Sequence, residues 1–311
     1  MFALRGIAVS LTFFVLIYCF LSALVVVSWR WLSWLKAAER SLADLLFLLR
    51  VLPLAASVVI TFVFVVPSFQ LLEPRSTDEG MGTVPFALGI AALLLIACGC
   101  YRVITAQTRS SRIVARWIEG SQPLGATAGT FAFRSRREAP PLTLVGMRSP
   151  RVFISDSTLK LLTKDELAIA LRHELAHIRS YDNLKKLVFR FCPFPGMRKL
   201  ETAWSHASEL AADDAAVTNV HEAVDLAGAL VKLSRLVPVD AVPACTVGFV
   251  TGSLSARVAR LLAWEENREL RQLCIPSWAA MPALLVAAFC AFVTYGPVLA
   301  LTHEATEWLV R

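Results

Sequence analysis

The chain has no Cys-x-x-Cys pair, and its cysteines are odd in number: Cys19, Cys98, Cys100, Cys192, Cys245, Cys274 and Cys290. That excludes a disulfide framework or a thiolate zinc site as the first expectation. Cys19, Cys98, Cys100 and Cys290 fall in apolar runs, where cysteine usually acts as a small buried hydrophobe. No small-x-small cleavage site precedes Trp29-Arg30-Trp31, so the first apolar run does not read as a signal peptide. No nucleic-acid-binding motif accompanies the net charge of +7, and nucleic acid is not an expected partner.

What the chain has is apolar sequence. Of its 311 residues 56% are hydrophobic, and the mean hydropathy is +0.60. Soluble domains run at about 45–50% apolar, so a lipid bilayer is the expected environment. The excess sits in four runs: Ile7 to Val27, Val51 to Gln70, Val84 to Tyr101 and Ile275 to Leu301. Each is close to the roughly 20 residues that a spanning helix needs. Trp29, Trp31 and Trp34 form an interfacial belt after the first. Arg50 is expected to snorkel to the headgroups. The runs contain no internal repeat and no expected buried charge, which favours a scaffold over a channel.

Lysine and arginine set the orientation. Arg30, Lys36 and Arg40 follow the first run, and Arg102, Arg109, Arg112 and Arg116 follow the third; only Arg75 lies in the second loop. Residues 105–274 are therefore expected in the cytoplasm, with the N-terminus and a short tail, 302–311, outside. The plasma membrane of a bacterium is the expected location.

Residues 105–274 read as a separate domain, mainly α with a small β element. Leu142 to Val145 and Arg151 to Ser155 read as strands around a Gly146–Pro150 turn. Arg151 to Ser155 is either a sheet edge that pairs with an extended substrate or an ordinary core strand. Thr163 and Glu166 form a capping box, which starts a helix that runs to about Ser180. Pro193, Pro195 and Gly196 break the chain before a helix over about Arg198 to Thr218. Further helices are expected over Glu222 to Leu236 and, capped by Ser253, over Arg257 to Gln272.

The capped helix carries His173-Glu174-Leu175-Ala176-His177. Histidines four apart share one helix face, with Cβ atoms about 5–6 Å apart. Two imidazoles can then bind one zinc, with Glu174 beside the open position as general base and acid. Catalytic zinc takes three protein ligands. Glu209 on the next helix is the candidate third, and Asp213 one turn later is placed to orient a histidine; the alternative is a pair of solvated helix acids, and the two histidines favour the ligand reading over it. His206 lies on the same side as Glu209 and is either a helper at the reacting carbonyl or a plain helix histidine. His221-Glu222 starts a similar string but has Asp225 where a second histidine is needed.

The segments LVGMRSPRVFIS, LTKDELAIALRHELAHIRSYDNLKKL and SELAADDAAV resemble the BlaR/MecR family of membrane zinc metallopeptidases and, more distantly, the HtpX and CAAX-protease type. The resemblance implies one zinc on His173, His177 and Glu209, with Glu174 as catalytic acid and base. It implies three spans before a zincin-like domain and one after. Asp182 and Asn183 match the family pattern too, Asp182 as a residue orienting a ligand or ending the helix. Ala212 stands where the BlaR type has cysteine, as in the HtpX type. Only about ten residues follow the fourth run, so direct β-lactam sensing is not expected. The implied substrate is a cytosolic repressor-type regulator or, on the HtpX pattern, a membrane protein under quality control. A catalytically silent membrane transducer is the non-enzymatic alternative.

Overall fold

The computed structural model describes residues 2–29, 38–73, 82–119, 121–127, 130–135, 141–145, 151–236, 247–248, 254–264 and 295–307. Three helical stretches are long and apolar enough to cross a membrane. The first is α1 (Phe2–Ser28). The second joins α2 (Glu39–Ile60) to α3 (Val66–Leu72) through a π-turn at Thr61–Val65. The third is α4 (Thr83–Glu119). These are the first three expected spans, and the fold as a whole is mainly helical with a small sheet. Large apolar side chains such as Phe20, Leu24, Phe62, Leu93 and Leu94 face outward, as expected of helices whose outer solvent is lipid. Cys98 and Cys100 face outward with them, and Cys19 does the same, so the expectation that they are buried is corrected. Most of the fourth expected span and part of the tail lie outside the described residues. Residues 295–307 are helical, and Tyr295 and Leu299 meet the π-turn at Val63 and α3 at Ser68.

α4 is longer than the run that announced it. At 1.5 Å per residue its 37 residues reach about 55 Å, well beyond a bilayer core of about 30 Å. The helix simply continues past Arg102, and its last turns bury Trp117 against Phe153 of the sheet. A single uninterrupted helix thus ties the membrane bundle to the soluble domain.

The sheet has five strands in the order β1-β2-β4-β3-β5: β1 (Ser121–Thr127), β2 (Thr130–Ser135), β3 (Leu142–Val145), β4 (Arg151–Ser155) and β5 (Val247–Gly248). β3 and β4 pair antiparallel as expected. β4 also pairs with β2, in parallel. Both its edges are used, so it is a core strand and offers no edge to a substrate.

After the short α5 (Asp156–Leu161) come α6 (Lys164–Arg179), α7 (Asp182–Phe191), α8 (Arg198–Ala216), α9 (Val220–Ser234) and α10 (Leu254–Leu262). The capping box at α6 is present in full: Glu166 N–H donates to Thr163 Oγ1 and Thr163 N–H to Glu166 Oε2. Ile169 and Ala170 of α6 pack with Leu226, Leu230 and Leu233 of α9 and with Val152 and Ile154 of β4. That core fixes the back of α6 and leaves its histidine face free to meet α8.

α7 and α8 rest on the membrane bundle. Tyr18 donates to the Pro193 carbonyl at 3.1 Å, and its ring meets Phe194 edge-on. Gly99 lets α4 press against α7, since a Cβ there would lie 2.3 Å from the Phe191 carbonyl oxygen. Arg50 does not snorkel; it is fully buried. It donates to Glu201 at 2.9 Å and to the carbonyls of Phe189 and Cys192. The last carbonyls of α7 have no intrahelical partner, and a cation there satisfies them and complements the helix dipole. Arg5 is also buried and pairs with Glu73. Buried charge therefore exists in the spans, and in both cases it is paired.

The α8–α9 turn supports a pH prediction. Glu222 accepts from Thr218 N–H and Oγ1 and from Arg172 of α6, and the Arg172 bond does most to push its pKa down to about 2. A depressed carboxyl stabilises the fold above its ordinary range and loses that effect as pH falls toward 2. Discounted for solvent screening, the contribution is about 1 kcal/mol. Glu222→Gln should lower the thermal midpoint at pH 7, and the difference from the native protein should vanish between about pH 4.5 and 2.

Candidate metal centre

α6 presents His173 and His177 one turn apart, and α8 crosses in front of them with Glu209 and Asp213, also one turn apart. All five side chains at the α6–α8 contact, Glu174 included, are buried. His173 Nε2 lies 3.6 Å from Glu209 Oε2, and His177 Nε2 lies 3.7 Å from Glu209 Oε1. The two Nε2 atoms are 3.2 Å apart. Among the described residues, His173, His177 and Glu209 form the group whose ligand atoms all fall within 4.8 Å of one another, close enough to hold a metal ion.

The outer nitrogens set the tautomers. His173 Nδ1 sits 3.0 Å from Asp213 Oδ1, and His177 Nδ1 sits 2.7 Å from Asp182 Oδ2. An ionised carboxylate only accepts, so His177 Nδ1 donates its proton to Asp182, and the Asp213 charge at ion-pair distance favours a proton on His173 Nδ1 as well. Both Nε2 atoms then turn lone pairs toward one another at 3.2 Å. A cation or a proton must sit between them. In a metal-free site the proton is on His173: burial disfavours it, but Asp213 and Glu209 prevail and push its pKa up to about 9. Glu209 Oε1 has no hydrogen-bond partner despite complete burial. Two facing nitrogen lone pairs and a buried acceptor oxygen suit a nitrogen- and oxygen-binding ion such as zinc.

Asp182 owes its place to a special backbone. Tyr181, between α6 and α7, has φ 55°, the left-handed region. Such a conformation costs a non-glycine residue about 1–2 kcal/mol. It ends α6 and turns the next residue back onto His177. The expected orienting residues Asp182 and Asp213 thus both reach the cluster. His206 does not: it is half-buried, and among the described residues no hydrogen bond or ion pair joins it to the site.

Glu174 is fully buried, and neither carboxylate oxygen has a hydrogen-bond partner. Burial pushes its pKa up to about 7, against the pull of His177 and His173. A carboxyl poised near neutrality can both accept and release a proton.

One residue at the site escaped the sequence. Arg257 of α10 is buried and donates to Asp213 through Nε at 2.8 Å and Nη2 at 2.6 Å, and to Glu209 through Nη1 at 3.0 Å. It is among the groups that hold both acids ionised: Glu209 is depressed to about 2, by His177 and the His173 bond ahead of Arg257, and Asp213 lies further below its ordinary range, with Arg257 the main cause. No local pattern marks it, because its partners lie 44 and 48 residues away in sequence.

Residues 144–197 match the family model for peptidase family M48, a zinc metallopeptidase family. The matched segment runs from β3 through the turn before α8. It includes His173, Glu174, His177 and Asp182, and it ends before Glu209, Asp213 and Arg257. No curated protein matches the chain.

Two substitutions separate the roles around the cluster. Asp182→Asn removes the carboxylate from His177 Nδ1 and should weaken zinc affinity about 10–100-fold in a chelator competition titration. Arg257→Met leaves two buried carboxylates without their shared cation and should destabilise the metal-free protein by about 3–5 kcal/mol in thermal unfolding.

Proposed function

We propose that the chain is a membrane-embedded zinc endopeptidase, with His173, His177 and Glu209 as ligands and Glu174 as the proton carrier. The observation that supports this most is the meeting of two inward Nε2 atoms and a buried Glu209 oxygen beside an unpartnered Glu174. When bound, zinc supplies a water of lowered pKa and a Lewis acid for the scissile carbonyl. Glu174 takes the proton of the attacking water and delivers it to the leaving amine. Asp182 and Asp213 keep both imidazoles in the tautomer that turns Nε2 inward. Arg257 holds Glu209 and Asp213 charged and in place.

The basic residues on the α4 extension, Arg102, Arg109, Arg112 and Arg116, favour a cytoplasmic catalytic domain at an inner membrane. The domain rests on the bundle through Tyr18, Arg50 and Gly99, so its substrates are proteins at or in the membrane surface. The M48 match favours the HtpX-type reading, a membrane protein under quality control, over cleavage of a cytosolic repressor.

The test uses the full chain in detergent. Native protein should bind zinc at about one ion per chain and cleave an unfolded protein such as casein. Glu174→Gln should keep the zinc and lose cleavage by about 10²–10⁴-fold. Zinc binding without any Glu174-dependent cleavage would overturn the enzymatic reading, and absence of zinc binding would overturn the ligand set.

A further inference from the structure

Two cavities flank the end of α7 where it meets the spans. One, of about 580 Å³, is lined by Arg50, Arg102, Lys186, Arg190 and Arg198 against the single acid Glu201. Among the described residues no carboxylate lies within ion-pair distance of Arg102 or Arg198, whereas Lys186 faces Glu209, Asp182 and Glu174. The other, of about 620 Å³, is almost wholly apolar and lies between α1, α2 and α4; its wall includes Phe14, Tyr18, Leu54, Leu95 and Phe191.

The two follow one another along the same helices. On α2, Leu54 lines the apolar chamber and Arg50, one turn earlier, lines the cationic one. On α4, Leu95 and Ile96 line the first and Arg102 the second. On α7, Phe191 and Cys192 line the first, and Lys186, Phe189 and Arg190 the second. Tyr18 of the apolar wall meets Phe194 of the cationic wall at 6.0 Å between ring centroids. Arg102 is the first charged residue after the apolar part of α4, so the cationic cavity lies where hydrocarbon gives way to headgroups.

We propose that these cavities together hold one anionic phospholipid, with its phosphate between Arg102 and Arg198 and an acyl chain in the apolar chamber. A basic pocket between spanning helices at headgroup depth suits a lipid phosphate, and a zwitterionic headgroup would bring its own cation into a cavity already rich in them. Each cavity falls within the usual 300–1,000 Å³ of a ligand site. This inference depends on the spans lying in a bilayer and is independent of catalysis. The rival occupant is an acidic peptide, because Ser205 on the cationic wall stands one turn before Glu209 on α8.

The experiment follows thermal unfolding of the delipidated full chain in an uncharged detergent. Phosphatidylglycerol at a hundredfold excess over its dissociation constant should raise the midpoint by roughly 5 °C. Phosphatidylcholine with the same acyl chains and inorganic phosphate should not. Arg102 and Arg198 are exposed, so the double variant Arg102→Glu/Arg198→Glu should unfold near the native midpoint without lipid and lose most of the phosphatidylglycerol response. Ser10→Phe, which fills the apolar chamber, should cut that response while the double variant's charge defect is absent. An equal response to phosphatidylcholine, or a phosphatidylglycerol response that survives the double variant, overturns the proposal. So does an equal response to inorganic phosphate, which makes this a free-anion site. An arginine-dependent rise with an acidic peptide such as oligo-aspartate, and none with phosphatidylglycerol, assigns the cavity to substrate instead.

Discussion

Four carboxylates share one buried space, and α6, α7, α8 and α10 are arranged around that fact. Glu174, Glu209, Asp213 and Asp182 are all buried within reach of two imidazoles. Buried charge is tolerated only when it is paired. Arg257 supplies one full positive charge, and Lys186 on α7 faces Glu209, Asp182 and Glu174 from the side. With Glu174 ionised, Arg257, Lys186 and a protonated His173 still leave an excess of negative charge in the metal-free cluster. A bound cation would relieve that excess where His173, His177 and Glu209 already bring their donor atoms together.

Each helix answers to that space. α6 can offer its histidines because Ile169 and Ala170 are anchored on α9 and the sheet. α7 can return Asp182 to His177 because Tyr181 accepts a left-handed backbone. α7 in turn stays in place because Arg50, from inside a spanning helix, binds its final carbonyls and reaches Glu201 on α8. A charge within the membrane bundle thereby sets the spacing of the two helices that flank the cluster.

How much was legible in advance divides by sequence distance. Features confined to a turn or two of helix were readable: the capping box at Thr163, the paired histidines, the i,i+4 acids on α8 and three apolar spans. Features that depend on a remote partner were not. Arg257 looks like any polar helix residue until Asp213 is found opposite it. Arg50 reads as a snorkelling arginine unless the end of α7 is known to lie beside it. β4 looked equally like an edge, because β2 was not foreseen. α7 carries a usable signal in Leu184, Val188 and Phe191 on one side with Lys185 and Arg190 on another, and Pro193 and Pro195 after it mark the break that ends it. The M48 match has the same horizon. It ends at residue 197, so Glu209 and Arg257 rest on geometry alone.

Arg257 also gives the protein a timetable. A ribosome makes α6, α7 and α8 before α10, so the two histidines and their acids exist for a time without the cation that holds Glu209 and Asp213 together. Until α10 docks, Glu209 and Asp213 lack the guanidinium that pairs them. A chain with its first three spans made and α10 still to come therefore holds the histidine–carboxylate cluster without the residue that ties Glu209 to Asp213.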